Sequence, residues 1–106
     1  MIITSAETIP GKRITRVVGL VKGNTVRTRH IGKDLTAAFK NITGGEIREY
    51  TKLMAEAREQ CLDRMREDAA RLGANAVIGV RFMTSSVMQS AAELLAYGTG
   101  VVIDDD

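Results

Sequence analysis

The stretch Glu46–Leu72, EIREYTKLMAEAREQCLDRMREDAARL, decides how this chain of 106 residues folds. Its apolar residues Ile47, Tyr50, Met54, Ala57, Cys61, Met65, Ala69 and Leu72 recur every third or fourth position. That spacing places them on one stripe of an α-helix. Charges of both signs fill the other faces, with Lys52–Glu56, Arg64–Asp68 and Glu67–Arg71 four apart, where helical neighbours attract. Gly73 follows as a residue suited to a C-terminal stop. At about 1.5 Å per residue this helix is about 40 Å long, whereas a compact chain of this size has a radius of gyration of about 13 Å. The rod therefore overhangs its own domain or runs its whole length, and the expectation is surface completed by neighbouring copies.

Outward from the helix, Leu35, Ala38, Phe39 and Ile42 have the spacing of a short amphipathic helix that Asp34 caps. Gly44–Gly45 breaks it, and Thr43 with Glu46 has the spacing of a capping box for the long helix, unless Gly44 terminates the first one. On the N-terminal side, Ile2–Thr4 is a short apolar start closed by Pro10–Gly11. Lys12–Lys22 reads as a strand with Ile14, Val18 and Leu20 on one face and Val17 and Val21 on the other, which calls for cover on both sides. Gly23–Asn24 reads as a turn, with Thr25–Thr28 as a returning strand. On the C-terminal side, Ala76, Ile78, Val80 and Phe82 alternate with Val77, Gly79 and Arg81. Leu95, Tyr97, Val101 and Ile103 alternate with Ala96, Gly98, Gly100 and Val102, and Thr84–Ser90 reads as the polar connection between these two strands. The small residues Gly19, Gly79, Gly98 and Gly100, with Ala55, Ala57, Ala69 and Ala70, predict a close approach of helix to sheet.

Composition excludes several function classes. A hydrophobic fraction of 44% and a charged fraction of 26% fit one soluble globular domain over residues 1–106, not a disordered or collagen-like chain. One Cys and one His rule out a disulfide framework and a zinc cluster within a single copy. The unpaired thiol suits a reducing compartment, so a cytoplasmic protein is expected. The N-terminus has no basic segment followed by an apolar run, so no signal peptide is expected, and no uncharged stretch is long enough for a membrane span. The net charge of +2 hides a gradient: residues 1–45 hold eight Lys and Arg against two acids, while 73–106 hold Arg81 against Glu93, Asp104, Asp105 and Asp106. A basic N-terminal part suits phosphates or an acidic partner, and opposite ends that neutralise one another within an assembly are the preferred expectation. Nucleic acid is not the expected partner, because none of Phe39, Tyr50, Phe82 and Tyr97 interleaves with the basic Arg27–Lys33 segment.

His30–Ile31–Gly32–Lys33–Asp34, Gly44–Thr51, Leu72–Phe82 and Ala96–Gly100 resemble the YbjQ-like family in unbroken order over nearly the whole chain. That family carries a heavy-metal-binding label. The resemblance implies an α+β subunit in two layers, an antiparallel sheet against one long helix plus a short one, similar to a dodecin subunit. It further implies assembly into a homopentameric ring. It transfers no catalytic or ligand residue.

Candidate site residues follow from chemistry. Cys61 sits on the apolar stripe with no His or Lys one turn away, so it reads as a buried thiol. His30, with Arg27, Arg29 and Lys33 near it, cannot hold a metal within one copy, but ring symmetry multiplies it, and its cationic neighbours favour an anion. Arg81, the one cation after Arg71, calls for a carboxylate partner such as Glu93, Glu49 or a C-terminal Asp. Ser85 and Glu93 are candidates for lining a polar pocket at a subunit junction. The ligand-binding set is therefore Arg29, His30, Arg81, Ser85 and Glu93, with a small anionic ligand or a metal ion as occupant. No Ser/His/Asp arrangement can be argued and the cofactor is left open; binding or scaffolding is expected over catalysis, with heavy-metal-ion binding and a minor enzyme whose active site is shared between subunits as the alternatives.

Overall fold

The computed structural model describes residues 1–28, 44–88 and 91–106, with side chains of the long helix from Thr51 onward. Four strands and one helix make up these residues: β1 (Ile2–Ile3), β2 (Lys12–Thr28), α1 (Gly44–Arg71), β3 (Ala76–Met88) and β4 (Ala91–Asp105). They form one sheet in the order β1-β3-β4-β2, with α1 laid on one face. β4 pairs antiparallel with both β2 and β3, while β1 runs parallel to β3, so the sheet is mixed rather than antiparallel. The short helix expected at 35–42, its Asp34 cap and the Thr43 capping box lie outside the described residues.

The helix forms where its periodicity puts it. Ala57, Cys61, Met65 and Ala69 are fully buried along one stripe, against Val21 of β2, Val77 and Val80 of β3, and Leu94 and Ala96 of β4. Arg71 ends it. Gly73 takes φ +89°, its N–H bonds the Ala70 carbonyl, and the Ala74 N–H reaches back to Ala69, a left-handed stop of the Schellman kind. Leu72 falls beyond the last turn and is exposed rather than on the stripe. Asn75 then locks β3 to β4, its side chain exchanging hydrogen bonds with the backbone of Ile103 at 2.7 and 3.0 Å.

Four register slips against β4 correct the expected strand faces: between Ile14 and Arg16 and between Val17 and Gly19 on β2, and between Ile78 and Arg81 and between Ser86 and Met88 on β3. Gly19 at φ +135° and Gly79 at φ +62° supply the backbone that two of these slips need. An inserted residue turns the following side chains to the opposite face. Val18 therefore joins Val21 under the helix, while Ile14 packs on the other face with Ile9, Ile78, Ala76, Val101 and Ile103. Likewise Val77 and Val80 share the helix side. β4 has a regular alternation, as expected, with Leu94 and Ala96 on the helix side and Val101 and Ile103 on the other.

Gly23 is no turn. β2 runs through it without a break, and the expected connection Thr84–Ser90 is strand as far as Met88. A Cβ on Gly23 would stand 2.3 Å from the Cys61 carbonyl oxygen and 2.4 Å from the Met65 nitrogen. Here the helix backbone lies against the sheet. The glycines expected to make that approach do other work: Gly19 and Gly79 serve the bulges, and Gly98 makes room for Val77 and Val80 of the neighbouring strand. Gly100, close to Val21 and Ala74, faces the same helix-side core as Gly98. Of the four alanines, Ala57 and Ala69 are buried, while Ala55 is half-buried and Ala70 exposed.

The helix covers β2 and β4 and barely reaches β3. Among the described residues, the sheet face away from it is sheltered at one end, where Ile9 packs with Ile14 and Ile103. The molecule measures 56 × 23 × 16 Å with a radius of gyration of 17.5 Å, well above the value of about 13 Å for a compact chain of this length.

Candidate functional site

The bare sheet face carries cross-strand rows whose members the register fixes. Ile78, Thr99 and Leu20 make one row, and Arg81, Tyr97 and Lys22 make the next. Met83, Leu95 and Asn24 follow, then Ser85, Glu93 and Val26. Alternation along each strand puts all of these on the side opposite the helix. Leu20, Val26, Met83 and Val17 are 52–69% exposed on this face, interleaved with the polar residues of the rows.

Ser85 and Glu93 are direct cross-strand partners, so the sheet does bring these two candidates together. Asn24 joins them, its Nδ2 donating to Glu93 Oε2 at 3.2 Å. Arg81 is on the same face but four residues back along β3, on the order of 13 Å from Ser85. Its guanidinium is taken: Nη1 donates to the carbonyls of Ser5 at 3.1 Å and Val80 at 2.8 Å, tying the N-terminal segment to β3. The carboxylate partner expected for Arg81 is thus replaced by backbone carbonyls. Arg29 and His30 lie outside the described residues.

Cys61 is fully buried, as its place on the stripe requires. Its Sγ donates to the Leu94 carbonyl at 3.1 Å and lies 3.8 Å from the Thr25 hydroxyl, itself buried. The thiol ties helix to sheet.

A second polar cluster, missed by the sequence reading, runs between α1 and the edge of β2. Asp68 Oδ2 accepts from the Lys22 backbone N–H at 3.0 Å, and Arg64 Nη1 donates to the Asn24 carbonyl at 2.5 Å. The Lys22 amide, then Arg71 beside it, hold the Asp68 carboxyl below its ordinary value of 3.8. Arg64–Asp68 and Glu67–Arg71 were expected as pairs four apart. Instead Arg64 and Asp68 turn to the strand, and the helix ion pairs among the described residues are Arg66–Asp63 and Arg71–Asp68, three apart. An open cleft of about 380 Å³ lies over this cluster, its charged lining already engaged in joining helix to strand. Another of about 380 Å³ sits at the far end between Met1, Asn75 and Asp104, where Lys12 pairs with Asp105.

Among the described residues no three His, Cys, Asp or Glu side chains gather as a metal site. What the face offers is a carboxylate with an amide and a hydroxyl beside it, two cations flanking Tyr97, and an apolar surround. Among the described residues this is an open surface. Asn24, Lys22 and Tyr97 were absent from the expected set, since Asn24 read as part of a turn and the rows depend on register.

The family model described as "putative heavy-metal-binding" matches residues 1–104. A UPF0145 protein of Hahella chejuensis is 58% identical over 104 residues, covering 98% of this chain and 100% of the relative. A UPF0145 protein of Clostridioides difficile is 53% identical over 106 residues, covering 100% of this chain and 95% of its own. Among solved structures, a protein of unknown function of the DUF74 family from Pediococcus pentosaceus superposes with a TM-score of 0.67 at 18% identity, covering 98% of both chains. That likeness shows the fold.

Proposed function

This chain belongs to the YbjQ-like family, and on that footing we propose that it works as a homo-oligomeric ring whose subunit junctions bind a small ligand or scaffold an assembly. The observation that carries the reading is the uncovered sheet face. Val26 and Met83 flank the Asn24–Ser85–Glu93 cluster, and Leu20 and Val17 are exposed farther along β2 on the same face, which α1 does not cover. A monomer rarely leaves such a patch in water, and the elongated shape is what a subunit has when its neighbours finish its core. Five copies is the number the family resemblance implies. Junctions that bury Ser85 and Glu93, on the sheet face that also carries Arg81, suit a small anion or a cation held between copies, and Arg29 and His30 complete the proposed ligand set. A cytoplasmic setting belongs to the same reading, and among the described residues no helix is long and apolar enough to cross a membrane.

Metal-ion binding is the second reading, favoured by the family description. It requires ligands from several copies, because zinc takes about four and one described chain gathers no such group. Native mass spectrometry of untagged protein tests both. The first reading expects one closed oligomer, with any retained ligand visible as added mass. The second expects stoichiometric metal that His30→Ala removes without changing subunit number. A metal-free oligomer counts against the second, and a monomer of 11.5 kDa counts against the first.

A further inference from the structure

The sheet has two outer edges, and the chain treats them differently. On β2, the outward N–H of Lys22 and the outward carbonyl of Asn24 are both occupied by helix side chains, Asp68 and Arg64. These take the bonds a neighbouring strand would make, which is how soluble proteins keep an edge from pairing. On the other side, β1 covers only Ala76 and Val77 of β3. The N-terminal segment then takes the amides of Gly79 and Val80, the latter donating to the Thr4 carbonyl at 3.1 Å. Beyond Val80 no described strand pairs with this edge, and every residue of Arg81–Met88 is exposed. Since the Val80 N–H points outward, alternation points the backbone groups of Phe82, Thr84 and Ser86 outward as well. No Pro and no charge after Arg81 guards them.

We propose that the outer edge of β3, Phe82–Met88, docks a second copy of this chain, whose β2 adds to it as a parallel strand and carries the sheet from one copy to the next. This rests on the ring reading above and names the surface that makes its junction. Three observations select a second copy. The edge is uncharged, so it offers nothing to an acidic or basic peptide. The complement lies on the chain itself: past the guarded Lys22 and Asn24, β2 continues through Thr25–Thr28 at the same end of the sheet, opposite the part of β4 that faces Thr84–Met88. β2 and β3 both run antiparallel to β4, so they share one direction, and rotation about a ring axis keeps it. Finally, Phe82, Met83, Val87 and Met88 beside one edge, with Leu20 and Val26 beside the other, are 42–69% exposed. A strand edge alone falls short of the roughly 800 Å² per partner of a stable interface, and these side chains supply the remainder.

Thr84→Pro tests it by deleting one outward donor at a position where the β3–β4 ladder needs none. Sedimentation should show the wild type as a single oligomer and Thr84→Pro as an 11.5 kDa species with unchanged far-ultraviolet circular dichroism. Hydrogen exchange on the wild-type oligomer is the second readout. The amides of Phe82, Thr84 and Ser86, and of Val26 on β2, should exchange more than about tenfold slower than unpaired edge amides. A folded Thr84→Pro that keeps the wild-type mass overturns the edge assignment while leaving the ring standing. Fast exchange at Phe82, Thr84 and Ser86 in an intact oligomer does the same, and decides the matter should Thr84→Pro fail to fold. Slow exchange there with fast exchange at Val26 overturns β2 as the added strand. A monomeric wild type overturns the ring reading itself.

Discussion

Gly23→Ala is the most informative single change to the fold. The added methyl carbon would lie 2.3 Å from the Cys61 oxygen, 2.4 Å from the Met65 nitrogen and 2.8 Å from the Arg64 Cβ. The two nearest atoms are helix backbone, so no rotamer change relieves the contact; α1 must lift by about 1 Å to reach ordinary packing distance. Overpacking of this kind costs about 1–3 kcal/mol. The same lift stretches the bonds that Asp68 and Arg64 make to the backbone on either side of Gly23, at about 0.5–1.5 kcal/mol for each one lost. The expected destabilisation is therefore about 2–4 kcal/mol, read from urea unfolding at one fixed protein concentration, since an oligomer's midpoint depends on it. A double-mutant cycle sharpens the reading: Asp68→Asn should cost less in the Gly23→Ala background than in the wild type. A loss under about 0.5 kcal/mol with the helix still in place would refute the close approach.

Gly98→Val should destabilise by about 1–3 kcal/mol through a clash with Val77 and Val80, whose methyl carbons lie 2.8 and 3.2 Å from the position of a Cβ. Loss of native amide protection should therefore appear first in β3 near its bulge and not in α1, and hydrogen exchange distinguishes the two. Asp68 has a folded-state pKa below its ordinary 3.8, so its contribution is complete above that value and is lost as pH falls through the lower folded value. Acid titration of the unfolding midpoint should thus show a loss below about pH 4 that Asp68→Asn largely removes; an identical acid limb in the variant would contradict it. Cys61, fully buried, should resist thiol reagents in the native protein and react only as the protein unfolds, so rapid native labelling would overturn its structural role.

The helix was legible because an unbroken run of 28 residues carries one period and ends on a glycine with the right successor. The strands were legible as strands, and β4 in its faces too, but the faces of β2 and β3 were not. Two of the bulges fall at Gly19 and Gly79, where sequence offers only the glycine itself, which reads equally as a packing gap, and the slips after Ile14 and Ser86 carry no glycine at all. Gly23–Asn24 misled for a related reason. The pair is chemically a turn, yet here glycine is required by the helix backbone above it and Asn24 by Glu93 across the strand. Ser85 with Glu93 was nameable from residue type; their juxtaposition depends on a hairpin extending to Met88, where the polar run suggested a loop. The guard at the β2 edge was visible only as charges on a helix, since sequence cannot say that Arg64 and Asp68 reach a strand 40 or more residues away.

Whether copies complete one another is decided most directly by sedimentation velocity through a dilution series down to the micromolar range. Apolar side chains left bare over one sheet face predict a single larger species that persists, with no folded 11.5 kDa boundary appearing. A folded 11.5 kDa monomer stable across that range would contradict it.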